Sequence, residues 1–271
     1  MELIITMGIP ALVIGSIGLL FGLLLGYAGK LFDVKEDPRV FAIREALPGA
    51  NDGGCGFSGC DAFAAAVAEG KAKVTGCPVG GSAVAARISE IMGVAASGMK
   101  RKTAFVKCGG RTDVTAWRYE YNGLRDCAAM DTMPGGGPKD CLFGCLGGGN
   151  CERACQFGAI SMRGGIAVVD RTKCTACGMC VAACPRALIE LVDEDKTVRV
   201  ACNSKDSGKR VMSVCKAGCI GCKMCQRACQ YGAIVMDGTL ARVDYEKCVK
   251  CGACAEKCRT GAILDINGGA R

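Results

Sequence analysis

Sixteen of the 23 cysteines in this 271-residue chain fall in four tight runs. Three runs share one spacing: Cys174-x2-Cys177-x2-Cys180-x3-Cys184, Cys219-x2-Cys222-x2-Cys225-x3-Cys229 and Cys248-x2-Cys251-x2-Cys254-x3-Cys258. In the bacterial run of this spacing, three close thiolates wrap one [4Fe–4S] cubane and the fourth is sent to a neighbouring cubane. The remaining run is stretched, Cys141-x3-Cys145-x5-Cys151-x3-Cys155, and Gly144, Gly147, Gly148 and Gly149 let its longer loop close. Cross-ligation predicts four sets. The first unit has Cys141, Cys145, Cys151 with Cys184, and Cys174, Cys177, Cys180 with Cys155. The second has Cys219, Cys222, Cys225 with Cys258, and Cys248, Cys251, Cys254 with Cys229. Two clusters in one small fold make a path for single electrons. The competing chemistry is zinc, which uses tetrahedral four-cysteine sites, commonly two separated CxxC knuckles, and leaves a protein colourless.

Composition narrows the chemistry further. The chain has no histidine, which excludes two-Cys, two-His zinc fingers, Ser-His-Asp triads and imidazole bases. An odd cysteine total at ligand spacing suits a reducing compartment rather than a disulfide framework. The formal charge of +8 counts every cysteine as neutral. Thiolate-bound clusters bring it to about −3, so it is not a nucleic-acid signal. No Gly-x-Gly-x-x-Gly follows a strand pattern and no Walker motif occurs, so neither NAD nor flavin is expected on this chain. Trp117, Tyr119 and Tyr121 alternate as in a half-buried strand.

The two cysteine-rich units are copies of one another. Residues 151–191 align without gaps onto 225–265, with 20 of 41 positions identical, which marks a duplicated structural unit. Upstream lies another constellation, Asp52-x2-Cys55-x4-Cys60-x16-Cys77-Pro78, inside Pro-Gly-Ala-Asn-Asp-Gly-Gly-Cys-Gly-Phe-Ser-Gly-Cys. That run resembles the small iron–sulfur domain of the B subunit of the Rnf complex, an ion-translocating ferredoxin:NAD+ oxidoreductase. The order of anchor, small domain and two ferredoxin units resembles that protein over essentially the whole chain.

The resemblance implies a cluster held by Asp52, Cys55, Cys60 and Cys77, with Asp52 standing where the family has a cysteine. A carboxylate is a harder and weaker ligand for such iron; alternatively Asp52 is a turn residue in Asn-Asp-Gly-Gly. Cys108, Cys127, Cys202 and Cys215 remain, one pair before each ferredoxin unit. With Asp52 the ligands number six sets of four, so five clusters are expected and a sixth follows if these four form one. Otherwise they are buried free thiols. The resemblance also implies partners: membrane and flavin-carrying Rnf subunits and a soluble ferredoxin. It implies a role as translocase subunit with no substrate-transforming site of its own, in a complex that reduces NAD+ and exports Na+ or H+. A reducing system for a redox-sensing transcription factor, or a wiring subunit of another oxidoreductase, are the alternatives.

These sites need elements to hold them. Leu3 to Gly29 carry no charge, longer than the ~20 residues a bilayer span needs. Lys30, Lys35, Arg39 and Arg44 follow it, which predicts the N-terminus outside an inner cell membrane and the rest in the cytoplasm. Gly18/Gly22 and Gly22/Gly26 are spacings that seat a partner helix. The expected layout is α+β. It comprises an anchor over 1–29, a linker over 30–50, a small cluster domain over 51–96 and a connecting region over 97–140. Ferredoxin units follow over 141–200 and 201–271. Ala62–Glu69 and Ser82–Met92 read as amphipathic helices. Lys205, Lys209, Arg210, Lys216 and Lys223 form a basic group suited to an acidic ferredoxin.

Overall fold

The computed structural model describes residues 2–31, 37–95 and 100–266. Helix α1 covers Glu2–Leu31 and ends on Lys30. Its side chains are described from Ile14 to Lys30, so the side chains of the first part of the predicted span lie outside the description. No helix among the described residues is long and apolar enough to cross a membrane.

Three helices form the next body. Asp37 caps α2 (Pro38–Ala46) by accepting from the Arg39 N–H, with Pro38 at the first helical position, where its missing N–H is harmless. Helices α3 (Cys60–Ala68) and α4 (Gly81–Met92) fall on the two predicted helical stretches, α3 starting two residues early. They bury Ile43, Phe63, Ala64, Val67 and Ile88 together. Phe63 meets Phe57 edge to face at 5.6 Å, and a Cβ on Gly76 would lie 2.8 Å from its ring. Phe63→Ala should therefore destabilise this body by about 3–5 kcal/mol, read as a lower urea midpoint. An unchanged midpoint would mean that the body is not held by this core.

The remaining chain builds two similar α+β units. In the first, β1 (Lys102–Val106) pairs antiparallel with β4 (Ile189–Asp193), Val106 opposite Ile189. Between them come α5 (Cys127–Asp131), α6 (Asn150–Arg153), the hairpin β2 (Ile160–Arg163) and β3 (Ile166–Val169), and α7 (Met179–Ala182). The hairpin turns on Gly164-Gly165, both at positive φ, the backbone a tight hairpin turn requires. In the second unit β5 (Val198–Val200) pairs with β8 (Ile263–Asp265) around α8 (Gly208–Val214), α9 (Met224–Ala228), β6 (Ile234–Asp237), β7 (Leu240–Val243) and α10 (Ala253–Glu256). Each unit thus takes its outer strand from the segment ahead of its cysteine runs. Ile160, Ile166, Leu188 and Ile189 pack around Cys145, Cys151 and Cys180. Val198, Ile234 and Ile263 pack around Cys225 and Cys254. The apolar side chains are a shell around the cysteines.

The predicted strand over Trp117, Tyr119 and Tyr121 does not form. Only Trp117 bridges, to Lys139. Arg118 turns instead to Asp140 at 2.9 Å. Alternation alone gave this segment no partner strand. The segment 108–117 is instead stitched to the second unit: Gly109 N–H donates to Ala201 O (2.9 Å), Ala116 N–H to Val214 O (2.8 Å) and Lys216 N–H to Val114 O (2.8 Å).

Candidate metal centres

Each regular run folds alike. The residue before the second cysteine has positive φ (Ala176, Gly221, Lys250), and so has the one after it (Gly178, Lys223, Gly252). Successive amides in such turns point inward, making a concave cradle for an anionic group. A one-turn helix then carries the third cysteine. The Cys174 site brings together Cys155, Cys174, Cys177 and Cys180 around one cavity. The Cys219 site brings together Cys219, Cys222, Cys225 and Cys258, and the Cys248 site Cys229, Cys248, Cys251 and Cys254. These are the groupings that cross-ligation predicts.

The stretched run departs from expectation. Cys151 faces Cys145, Cys127 and Cys184, which line one cavity with it. Cys141 faces Cys108 and Cys215 instead, and lines another cavity with Cys108, Cys202 and Cys215. Cys127 and Cys141 have exchanged places relative to the predicted sets. The reason is local. Cys145 to Cys151 spans the same interval as Cys174 to Cys180, so Gly148 occupies the position of a second cysteine. Its missing side chain is the space Cys127 fills: a Cβ on Gly148 would lie 3.0 Å from Cys127 Sγ and 2.8 Å from its amide N. Asp126 caps α5, its side chain accepting from the Ala129 N–H. Asn150 accepts from the Cys127 N–H at 2.8 Å and donates to Asp126 at 2.8 Å. Cys141 is released toward the other set, and Arg186 pins its loop by donating to Gly144 O (2.8 Å), Cys141 O (3.3 Å) and Asp131 (2.7 Å).

In the N-terminal body, Cys77 faces Cys60, Cys55 and Asp52. Asn51 holds the start of α3 by accepting from the Cys60 N–H at 2.8 Å. Asp52 Oδ1 accepts from the Gly54 N–H at 3.3 Å, while its buried Oδ2 has no partner.

The six groups form a row. A Cβ on Gly54, in the N-terminal site, would lie 2.7 Å from Cys177 O. The Cys174 and Cys151 sites share the core of the first unit. Cys145 N–H donates to Cys108 Sγ at 3.3 Å, linking the Cys151 site to the Cys108–Cys141–Cys202–Cys215 set. Cys202 packs against Cys219 and Cys258, and Cys254 faces Cys225. The Cys108 set is therefore the bridge between the two units.

The residues fit iron–sulfur clusters. Each of the five lined cavities is walled by four cysteines. Backbone amides already donate to the sulfurs: Ala104 to Cys174 (3.3 Å), Ala159 to Cys155 (3.3 Å), Leu188 to Cys184 (3.4 Å), Ala233 to Cys229 (3.3 Å) and Gly80 to Cys77 (3.4 Å). Such hydrogen bonds tune cluster potentials. Burial pushes the Cys151 thiol up to about 12 and those of Cys180 and Cys254 up to about 11, with neighbouring cysteines adding to it. Without a cationic core these buried thiols hold their protons; iron makes them thiolates. Among the described residues no group of three or more His, Cys, Asp or Glu is gathered tightly enough to hold a single metal ion. Tetrahedral zinc would need sulfurs ~3.8 Å apart, whereas a multi-iron core spreads its ligands wider.

Fold and cysteine geometry together define an iron–sulfur electron-transfer protein of tandem [4Fe–4S] ferredoxin units. Family comparisons agree: an Fe–S cluster family model matches residues 47–79. One 4Fe-4S dicluster model matches 141–188 and 218–262, and a second matches 173–234. The B subunit of the Na(+)-translocating ferredoxin:NAD(+) oxidoreductase complex of Acetobacterium woodii is 44% identical over 241 residues, 89% of this chain and 72% of the relative. The B subunit of the ion-translocating oxidoreductase complex of Methanosarcina acetivorans is 42% identical over 87% of this chain and 89% of the relative. Its counterpart in the proton-translocating ferredoxin:NAD(+) oxidoreductase complex of Clostridium ljungdahlii is 39% identical over 86% and 82%. The chain belongs to the B-subunit family of the Rnf ion-translocating oxidoreductase complexes.

Proposed function

We propose that the chain holds six [4Fe–4S] clusters in one row. By this reading it carries electrons from a reduced soluble ferredoxin into an Rnf-type complex that reduces NAD+ and exports Na+ or H+. The continuous order of the six cysteine-based groups, with the Cys108 set joining the two units, carries this reading. When bound, such clusters supply one-electron exchange over a wide range of potentials.

The two ends of the row differ in ways that suit this direction. Cys222 and Cys251 are exposed, and Tyr231 and Val249 beside them are half exposed, so a protein partner reaches the C-terminal unit. Lys223 flanks Cys222 there, whereas Arg210 of the same basic group is committed to Asp140 at 2.8 Å. The far end, the Asp52 site, sits on the helical body nearest α1 in sequence. Helix α1 is the membrane anchor in this reading. Its described apolar side chains, Leu19, Leu20, Phe21, Leu23 and Leu25 among them, are exposed, and nothing lies within 4 Å of a Cβ on Gly18, Gly22 or Gly26. Membrane and flavin-carrying subunits of the complex are the partners for that end.

The test is iron and sulfide analysis of anaerobically purified protein, followed by mixing with reduced ferredoxin. About 24 irons per chain are expected, with oxidation of the ferredoxin and bleaching of the protein's broad absorbance. About 20 irons or fewer, or a ferredoxin that stays reduced, would sink the six-site row.

A further inference from the structure

Lys139 is 1% exposed, an unusual place for an ammonium. Its Nζ donates to Gly110 O at 2.9 Å and Gly165 O at 2.8 Å. Trp117 covers it, with Nζ 5.6 Å from the ring centroid. The adjacent carboxylate, Asp140, is held by Arg118 and Arg210. Burying a charge without a carboxylate is costly unless other negative charge compensates it. Burial pushes the Lys139 ammonium below its ordinary pKa, and the groups that oppose this are the cysteines facing it, Cys108, Cys145, Cys141 and Cys215, which bound iron would make thiolates. Three belong to the bridging set and line the same cavity as Lys139; Cys145 belongs to the Cys151 site. The side chain thus stands between the third and fourth groups of the row, where the two units meet.

We propose that Lys139 sets the reduction potentials at the middle of the row. Its buried charge favours the reduced state, one unit more negative, at the bridging site and at the Cys151 site. The effect is large for so little material because solvent does not screen it. Among the described residues the other four groups have no buried lysine of this kind. This inference rests on reading these two sites as [4Fe–4S] clusters. Lys139 is a positioning and tuning group in this scheme, and it bonds no iron.

The experiment is a reductive titration of the full-length, cluster-loaded protein followed by electron paramagnetic resonance, with iron analysis alongside. Lys139→Gln keeps an N–H donor for the carbonyls and removes the charge. At a fixed ambient potential its affected clusters should show an oxidised-to-reduced ratio raised on the order of tenfold, a ~59 mV downward shift for one electron. Lys139→Arg keeps the charge and should titrate close to wild type. Full iron content with unchanged midpoints in Lys139→Gln would overturn the proposal, as would equal shifts in the Gln and Arg variants. If Lys139→Gln and Lys139→Met both lose about four irons, Lys139 is a structural tie and the proposal falls. A wild-type protein with about 20 irons would instead overturn the sixth cluster itself.

Discussion

Cys127→Ser should strip iron from the site of Cys145, Cys151 and Cys184 and spare the set of Cys108, Cys202 and Cys215; Cys141→Ser should do the reverse. The expected loss is up to about four of about 24 irons in each variant, because a serine oxygen is a poor substitute for thiolate on iron. The functional loss should be much larger than this small change in iron. Both sites lie between the C-terminal unit and the Asp52 site, and the row offers no parallel route. Reduced ferredoxin should still bleach the Cys219 and Cys248 sites in both variants. Electrons should fail to reach the Cys174 site, so the turnover of the assembled complex should fall at least tenfold. The two variants are told apart by which resonance disappears and which cysteines become alkylatable. If Cys141→Ser exposes Cys145 and Cys151 to alkylation while Cys127→Ser leaves them protected, the stretched run ligates as its linear order suggests, and the exchange of Cys127 with Cys141 is wrong.

That exchange also shows where the linear sequence falls short. The duplication is plain because 151–191 aligns without gaps onto 225–265, and the three regular runs are plain because each rests on residues a few positions apart. The helices of the N-terminal body are plain for the same reason. The Cys127 assignment is hidden because the residue that marks it is a glycine. Continuing the duplication backward places Cys145 opposite Cys219, Gly148 opposite Cys222 and Cys141 opposite Cys215. Gly148 is then a cysteine position vacated for a thiolate arriving from α5, and Cys141 shares the fate of Cys215. The offset held that signal, but counting cysteines alone groups Cys141 with its nearest neighbours. The pairing of β1 with β4 is less legible still. It joins segments separated by all the cysteine runs of the first unit, and nothing local in Lys102–Val106 names its partner. Lys139 gave no sign at all, since a lysine beside an aspartate reads as surface charge until Arg118 and Arg210 are seen to take the aspartate away.

Asp52 offers the second large effect. Its Oδ2 is buried without a partner, beside Cys55, Cys60 and Cys77, and a buried carboxylate oxygen left unpaired is expensive. An iron atom would satisfy it. An oxygen donor holds that iron less tightly than the three thiolates hold theirs, so this iron should be the first lost. Mild oxidation of the full-length protein should convert the site to a three-iron cluster, seen as a new paramagnetic signal with the loss of about one iron per chain. Asp52→Cys should suppress that signal, because four thiolates close the site. Asp52→Ala should show it from the outset, with no oxidant added. The comparison separates ligation from turn-making: Asp52→Asn keeps the turn propensity and the hydrogen bond to the Gly54 N–H but is a far poorer iron ligand. If Asn behaves as wild type through the oxidation, the carboxylate serves only the Asn-Asp-Gly-Gly turn. If Asn behaves as Ala, the iron is bonded through Asp52. The consequence then reaches beyond one site, because the N-terminal end of the row is its most labile group and lies against Cys177, the first step into the ferredoxin units.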